Sequence, residues 1–177
     1  MNALAPGTRA AGFAGVALLA LFPSLLCAAG LAPPLSVDEL VAQSDTIVRG
    51  KVIRSWGAMD SENRFIWTHY EVRVSTTLKG QPGATVVIGE PGGTLNGVTL
   101  LVPGATHYEA GEEVALFLYR TPIGYLRTTN YGQGKFTIST GGRIHGNTGI
   151  ESLEGLRWAQ FESRIARAVS AQKAVRR

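Results

Sequence analysis

The stretch between residues 44 and 80 carries two long runs of strand-forming residues, SDTIVRGKVIRSW (44–56) and FIWTHYEVRVSTTLKG (65–80). β-Branched and aromatic side chains dominate both runs, as they do in β-strands. A polar segment that contains glycine separates the two runs and is typical of a turn. We therefore expect these two strands to face each other, with the rest of the chain adding further strands and one closing helix.

Alternation along the two runs predicts which side chains share a face. In the second run the residues of one parity are largely apolar, and they are Ile66, Tyr70, Val72, Val74 and Leu78. Successive strand side chains point to opposite faces, so this run predicts a half-buried strand. In the first run Val48, Gly50, Val52 and Trp56 share a parity, which places Trp56 on the same face as Val52.

The N-terminal segment predicts export. An apolar run from Ala10 to Leu26 is followed by Cys27-Ala28-Ala29, a pattern typical of a cleavable signal peptide covering residues 1–29. Cys27 is the only cysteine of the 177-residue chain, so cleavage near Ala29 leaves a mature chain without cysteine. We expect a periplasmic or secreted protein with no stable membrane insertion after signal cleavage.

The remaining chain predicts one domain, residues 30–149, followed by a helix and a basic tail, residues 150–177. Ser36-Val37-Asp38-Glu39 is a capping box that begins a short helix, and Asn96-Gly97 is a hairpin signal. A third strand is expected over 84–89, ending at a break that begins with Glu90, and the apolar run 114–118 predicts a buried central strand. A second capping box at 148–151 predicts an amphipathic helix from about Ile150 to Ala171, and at about 100° per residue its apolar arc holds Trp158, Phe161, Ile165, Ala168 and Val169. Short strands without βαβ alternation favour a mainly β fold, a small antiparallel barrel of the oligonucleotide/oligosaccharide-binding (OB) type.

Charge excludes one class of partner. Residues 30–149 hold 10 basic and 10 acidic residues, and the excess of basic residues lies in the C-terminal segment. Nucleic-acid binding requires a broad basic face, so we expect no nucleic-acid partner.

Several short motifs together resemble the tissue inhibitor of metalloproteinases, or netrin-type, domain. They are the segment 44–52, the Val72-x-Val74 pair before Leu78-Lys79-Gly80, and Gly111-Glu112 before an apolar strand. Many exported bacterial proteins share the same combination of motifs. The resemblance covers residues 44–119 and implies an OB-type barrel with flanking helices. The animal inhibitors begin with a cysteine that chelates the protease zinc, and the mature start predicted near Gly30 has none. The inhibitory site is therefore not carried over.

No residue pattern predicts a catalytic, metal or cofactor site. The three histidines, His69, His107 and His145, lie on different segments without ligand spacing. One face of the second run carries Phe65, Trp67, His69 and Arg73, which form a candidate partner surface. The alternative is that the C-terminal helix covers Trp67.

We therefore expect an exported, non-enzymatic binding or scaffold domain, with an unknown protein as its possible partner. One alternative is an inhibitor or accessory protein of an extracytoplasmic metalloprotease. The other is a hydrolase whose site is assembled from distant residues.

Overall fold

The computed structural model describes residues 33–146 and 153–175. Its α-helices are α1 (Val37–Gln43) and α2 (Trp158–Val175), and a 3-10 helix covers Tyr131–Gly134. The strands are β1 (Thr46–Met59), β2 (Ile66–Lys79), β3 (Thr85–Pro91), β4 (Gly93–Leu95), β5 (Val98–Leu100), β6 (Glu113–Arg120), β7 (Leu126–Thr128), β8 (Lys135–Ile138) and β9 (Ile144–Gly146). The predicted mainly β fold with a short N-terminal helix and a C-terminal helix is confirmed. The predicted signal peptide, the capping box at 148–151 and the last two residues lie outside the described residues.

Seven strands form one sheet in the order β1-β2-β3-β7-β6-β8-β9, and β1 also pairs with β6. The extra pairing closes β1, β2, β3, β7 and β6 into a ring. The β4–β5 hairpin forms a separate small sheet. Its turn residues Asn96 and Gly97 have positive φ angles of 51° and 79°, as a type I′ turn requires. The ring includes one parallel contact, between Ile88 of β3 and Leu126 of β7. The expectation of antiparallel pairing is wrong at that contact, because a closed ring with an odd number of strands cannot be antiparallel at every contact.

Strand β6 lies between two hydrophobic cores. Val114, Leu116 and Leu118 face the interior of the ring, where Val72 is also fully buried. Ala115 and Phe117, the residues of the other parity, belong to the second core, which the two helices cover. Burial on both faces explains the uninterrupted apolar sequence of this strand, and the prediction of a central strand is confirmed.

Helix α1 begins as the sequence predicts. The hydroxyl of Ser36 accepts a hydrogen bond from the backbone N–H of Glu39, and the Glu39 carboxylate accepts one from the backbone N–H of Ser36. The buried face of α1 packs into the core that also holds α2. The capping box therefore fixes where this helix starts and which face it presents.

Helix α2 begins at Trp158, later than the predicted start near Ile150. Residues 153–155 form a turn, Arg157 pairs with Arg143 in an isolated β-bridge, and Gly155 has a φ of 70°, which a right-handed helix does not accommodate. Downstream, Phe161, Ile165 and Val169 are buried against β1, β6 and β8, as the apolar periodicity predicts. In the part of the chain that is described, no helix combines the length and the apolar character needed to cross a membrane.

Candidate binding face

The outer surface of β1, β2 and β3 carries a row of aromatic side chains. Trp56 on β1 is the cross-strand partner of His69 on β2, and their rings stack with centroids 5.4 Å apart. Trp56 retains 37% of its surface, whereas His69 retains only 9%. His69 therefore forms the floor of this surface and Trp56 one of its walls.

A β-bulge places Trp56 on the outer surface. Val52 pairs with Val72, but the next cross-strand pair is Arg54 with Glu71, so Ile53 is an extra residue in β1. One extra residue reverses the parity of all the side chains that follow it. The interpretation that Trp56 shares a face with Val52 is therefore wrong, because strict alternation does not allow for the bulge.

Tyr125 completes the row on the far side of His69. Gly89 on β3 is the cross-strand partner of His69, and the Tyr125 ring lies directly above it. A Cβ atom at Gly89 would be 3.3 Å from Cγ of Tyr125 and 3.5 Å from Nδ1 of His69. The absence of a side chain at Gly89 thus lets Tyr125 approach the sheet, where its ring meets the edge of His69 at 5.4 Å.

Trp67 supports Tyr125 from beneath. The two ring centroids are 4.8 Å apart, Phe65 packs at 6.0 Å, and the guanidinium of Arg127 lies 5.8 Å above the Trp67 ring. These groups leave Trp67 with 9% of its surface exposed. The alternative in which the C-terminal helix covers Trp67 is wrong, because α2 packs into a core shared with α1, β1, β6 and β8 that does not include Trp67.

The four residues of the predicted partner surface thus have different places. Phe65, Trp67 and His69 belong to one aromatic cluster, but Trp67 and His69 lie below its outer layer. Arg73 is exposed and pairs across the strand with Lys51, four residues from His69. At about 3.3 Å per residue it lies roughly 13 Å from the cluster, too far to share a small ligand with it.

An open groove of about 450 Å³ runs over this cluster. It is lined by Trp56, His69, Val87, Arg120, Gly124, Tyr125 and Leu126. Val87 on β3 is 44% exposed, and Ile123 in the turn beside Gly124 is also largely exposed. We call these lining residues the aromatic groove. Its volume lies within the range of ligand pockets, and its mixture of aromatic, aliphatic and cationic groups is typical of the centre of a protein interface.

An ion pair between Glu90 of β3 and Arg127 of β7 lies beside the aromatic cluster. Oε1 of Glu90 accepts a hydrogen bond of 2.9 Å from the backbone N–H of Thr128, and Oε2 lies 3.3 Å from Nη2 of Arg127. Glu90 is almost fully buried, and this burial raises the pKa of its carboxyl despite the contacts with Thr128 and Arg127. The predicted strand end at Glu90 is wrong, because β3 continues to Pro91 and this carboxylate ties β3 to β7.

The histidines have separate neighbours. Burial lowers the pKa of His69, which favours the neutral ring within the aromatic row. Nδ1 of His107 lies 3.2 Å from the Tyr70 hydroxyl, and Nδ1 of His145 lies 2.8 Å from the Glu154 carboxylate. Within residues 33–146 and 153–175, no group of three or more His, Cys, Asp or Glu side chains is placed to hold a metal ion.

Reasoning from the sequence did not identify Trp56, Tyr125 or Arg120 as residues of one surface. Arg120 and Tyr125 lie at the turn between β6 and β7, 29 and 34 residues after the last residue of β3, Pro91. One usable signal was present: an isolated glycine within a strand, here Gly89, often marks the close approach of another group. The isolated glycine predicts that another group packs closely against the backbone at Gly89, but it does not identify that group as the Tyr125 ring.

No protein-family model matches the chain, and no curated protein matches it significantly. The resemblance to the tissue inhibitor of metalloproteinases domain accordingly stays a prediction.

Proposed function

We propose that this protein is an exported domain with an OB-like barrel that acts by binding a protein partner in the aromatic groove, and not by catalysis. The single observation that carries the proposal is the row Trp56, His69 and Tyr125 on the outer surface of the sheet. Exposed aromatic side chains on a rigid floor supply a large contact area with little loss of side-chain entropy, which suits them to interfaces.

The strand order supports the OB-like part of the proposal. Five strands close in the order β1-β2-β3-β7-β6, with β6 returning to β1. OB folds are five-stranded barrels that bind ligands on the face of their second and third strands and at nearby loops. The aromatic groove occupies the corresponding place, on β2 and β3 beside the β6–β7 turn.

Export rests on the sequence pattern of residues 1–29 and is tested by processing. When the full chain is expressed in bacteria that export proteins with signal peptides, we expect the exported protein to begin near Gly30 and to contain no cysteine. Intact-mass measurement of the extracytoplasmic fraction decides between this product and a chain that keeps Cys27, with or without a lipid. Recovery of only the unprocessed chain would refute export by a cleavable signal.

Binding is tested by a matched pair of substitutions. Tyr125→Ser removes a wall of the groove, whereas Tyr131→Ser removes an exposed tyrosine that does not line it. We expect immobilised wild-type protein and the Tyr131→Ser variant to retain the same envelope protein, and the Tyr125→Ser variant to lose it. Circular dichroism spectra must show that all three proteins are folded. Equal retention by both variants would mean that the groove is not the binding site.

A further inference from the structure

The charged groups around the aromatic groove are largely paired with one another. Nε of Arg54 lies 2.6 Å from the Glu71 carboxylate, and its guanidinium lies 5.0 Å above the Trp56 ring. Arg127 is paired with the buried Glu90. Each of these two cations thus has a carboxylate of its own, so neither requires one from a ligand.

Arg120 differs from these two cations: it lines the groove itself. Its side chain is exposed and forms no salt bridge within the described residues. Its Nη1 donates a hydrogen bond of 3.0 Å to the carbonyl of Gly124, and its backbone N–H donates one of 2.8 Å to the Asp45 carboxylate. These contacts hold the guanidinium at the β6–β7 turn and use one of its five N–H donors. A cation that is held in place with donors remaining is ready to bind an anion.

The apolar part of the groove lies next to this cation. Arg120 and Gly124 line the groove together with Trp56 and Tyr125, whose rings stand on either side of His69. Val87 adds an exposed aliphatic surface. The volume of about 450 Å³ is enough to take one or two large side chains of a partner.

We propose that the groove recognises an acidic peptide segment in which an aromatic or large apolar side chain is followed closely by a carboxylate. The apolar side chain packs between Trp56 and Tyr125, and the carboxylate pairs with Arg120. This inference rests on the proposed function, because it specifies the partner of the same groove. Arginine suits the second contact because its planar guanidinium forms paired hydrogen bonds with a carboxylate.

The test uses a random peptide library displayed on phage and selected against the processed protein. Selected peptides are synthesised, and their affinities are measured for the wild type and for four variants. Tyr125→Ser and Arg120→Gln change the groove. Tyr131→Ser and Arg73→Gln are their controls, and Arg73→Gln removes the same charge from the same face outside the groove. Vesicles of phosphatidylglycerol are tested in parallel, because an anionic lipid also presents a negatively charged group beside an apolar one.

We expect the selected peptides to contain an aromatic or large apolar residue beside Asp or Glu. Arg120→Gln should weaken their binding about tenfold or more, since a charge-assisted hydrogen bond is lost. Arg73→Gln should change it by less than about twofold, because an exposed charge outside the contact is screened by solvent and salt. Replacing the peptide's carboxylate by its amide should remove the difference between wild type and Arg120→Gln.

Three results would overturn the inference, and they can be told apart. Selected peptides that require Tyr125 but bind Arg120→Gln as tightly as wild type would leave the proposed function standing and refute the acidic partner. A library that yields no peptide dependent on Tyr125 would refute both. Vesicle binding that requires Arg120, without any such peptide, would identify a lipid surface as the ligand.

Discussion

Replacing Phe161 by alanine tests whether helix α2 is an integral part of the domain. The Phe161 side chain is fully buried, and three aromatic rings surround it. The ring centroids of Phe117, Phe136 and Trp158 lie 6.2, 5.3 and 5.6 Å away. A buried Phe→Ala change costs about 3–5 kcal/mol, the larger values occurring where the surroundings do not collapse into the cavity. Three rigid rings are poor at filling a cavity, so we expect a loss of about 4 kcal/mol.

The measurement is urea unfolding followed by circular dichroism, with the slope of the transition compared between variants. A loss of this size is a large part of the stability of a single domain, which is typically about 5–15 kcal/mol, and should lower Tm by about 10 °C. Ser163→Ala is the control, because Ser163 is exposed on the same helix and its replacement should change stability by no more than about 0.5 kcal/mol. A loss below about 1 kcal/mol for Phe161→Ala, at unchanged slope, would refute the packing of α2 against the sheet.

Two further predictions concern the groove and the carboxylate beneath it. Gly89→Ala should displace the Tyr125 ring by a few tenths of an ångström and weaken binding in the groove. The free energy of unfolding should change by less than about 1 kcal/mol, because the lower entropy of the unfolded alanine chain offsets the crowding. NMR chemical shifts of Tyr125 that match those of the wild type would contradict this prediction. Glu90→Gln should alter how stability depends on pH. Burial raises the pKa of the Glu90 carboxyl in the folded state, so the folded state binds a proton there more tightly than the unfolded state does. The wild type should therefore gain stability relative to the variant as the pH falls from the raised pKa of folded Glu90 towards 4.5, the usual pKa of a glutamate. Denaturant melts of both proteins at pH 4–8 measure this difference, and a difference that is constant or grows with rising pH would show that Glu90 is not held in a destabilising environment.

The sequence by itself determined the features that depend on a few neighbouring residues. The capping box at Ser36 and Glu39 fixed the start of α1, and Asn96-Gly97 fixed a hairpin, because each signal sets backbone angles or satisfies backbone N–H groups within one turn. The uninterrupted apolar run around Leu116 indicated a strand that is buried on both faces. The apolar spacing of Phe161 and Ile165 likewise identified the buried face of α2 before its partners were known.

Tertiary structure decided which side chains meet at the groove. The bulge at Ile53 turned Trp56 to the outer face, and such an extra residue is specified by pairing with β2 and not by the alternation of β1 itself. Tyr125 meets His69 only because β7 returns beside β3, and Glu90 is buried only because Arg127 and Thr128 lie opposite it. Local sequence sets backbone angles and the period of each strand, whereas the face, the neighbour and the burial of a side chain depend on register between segments that are distant in the chain.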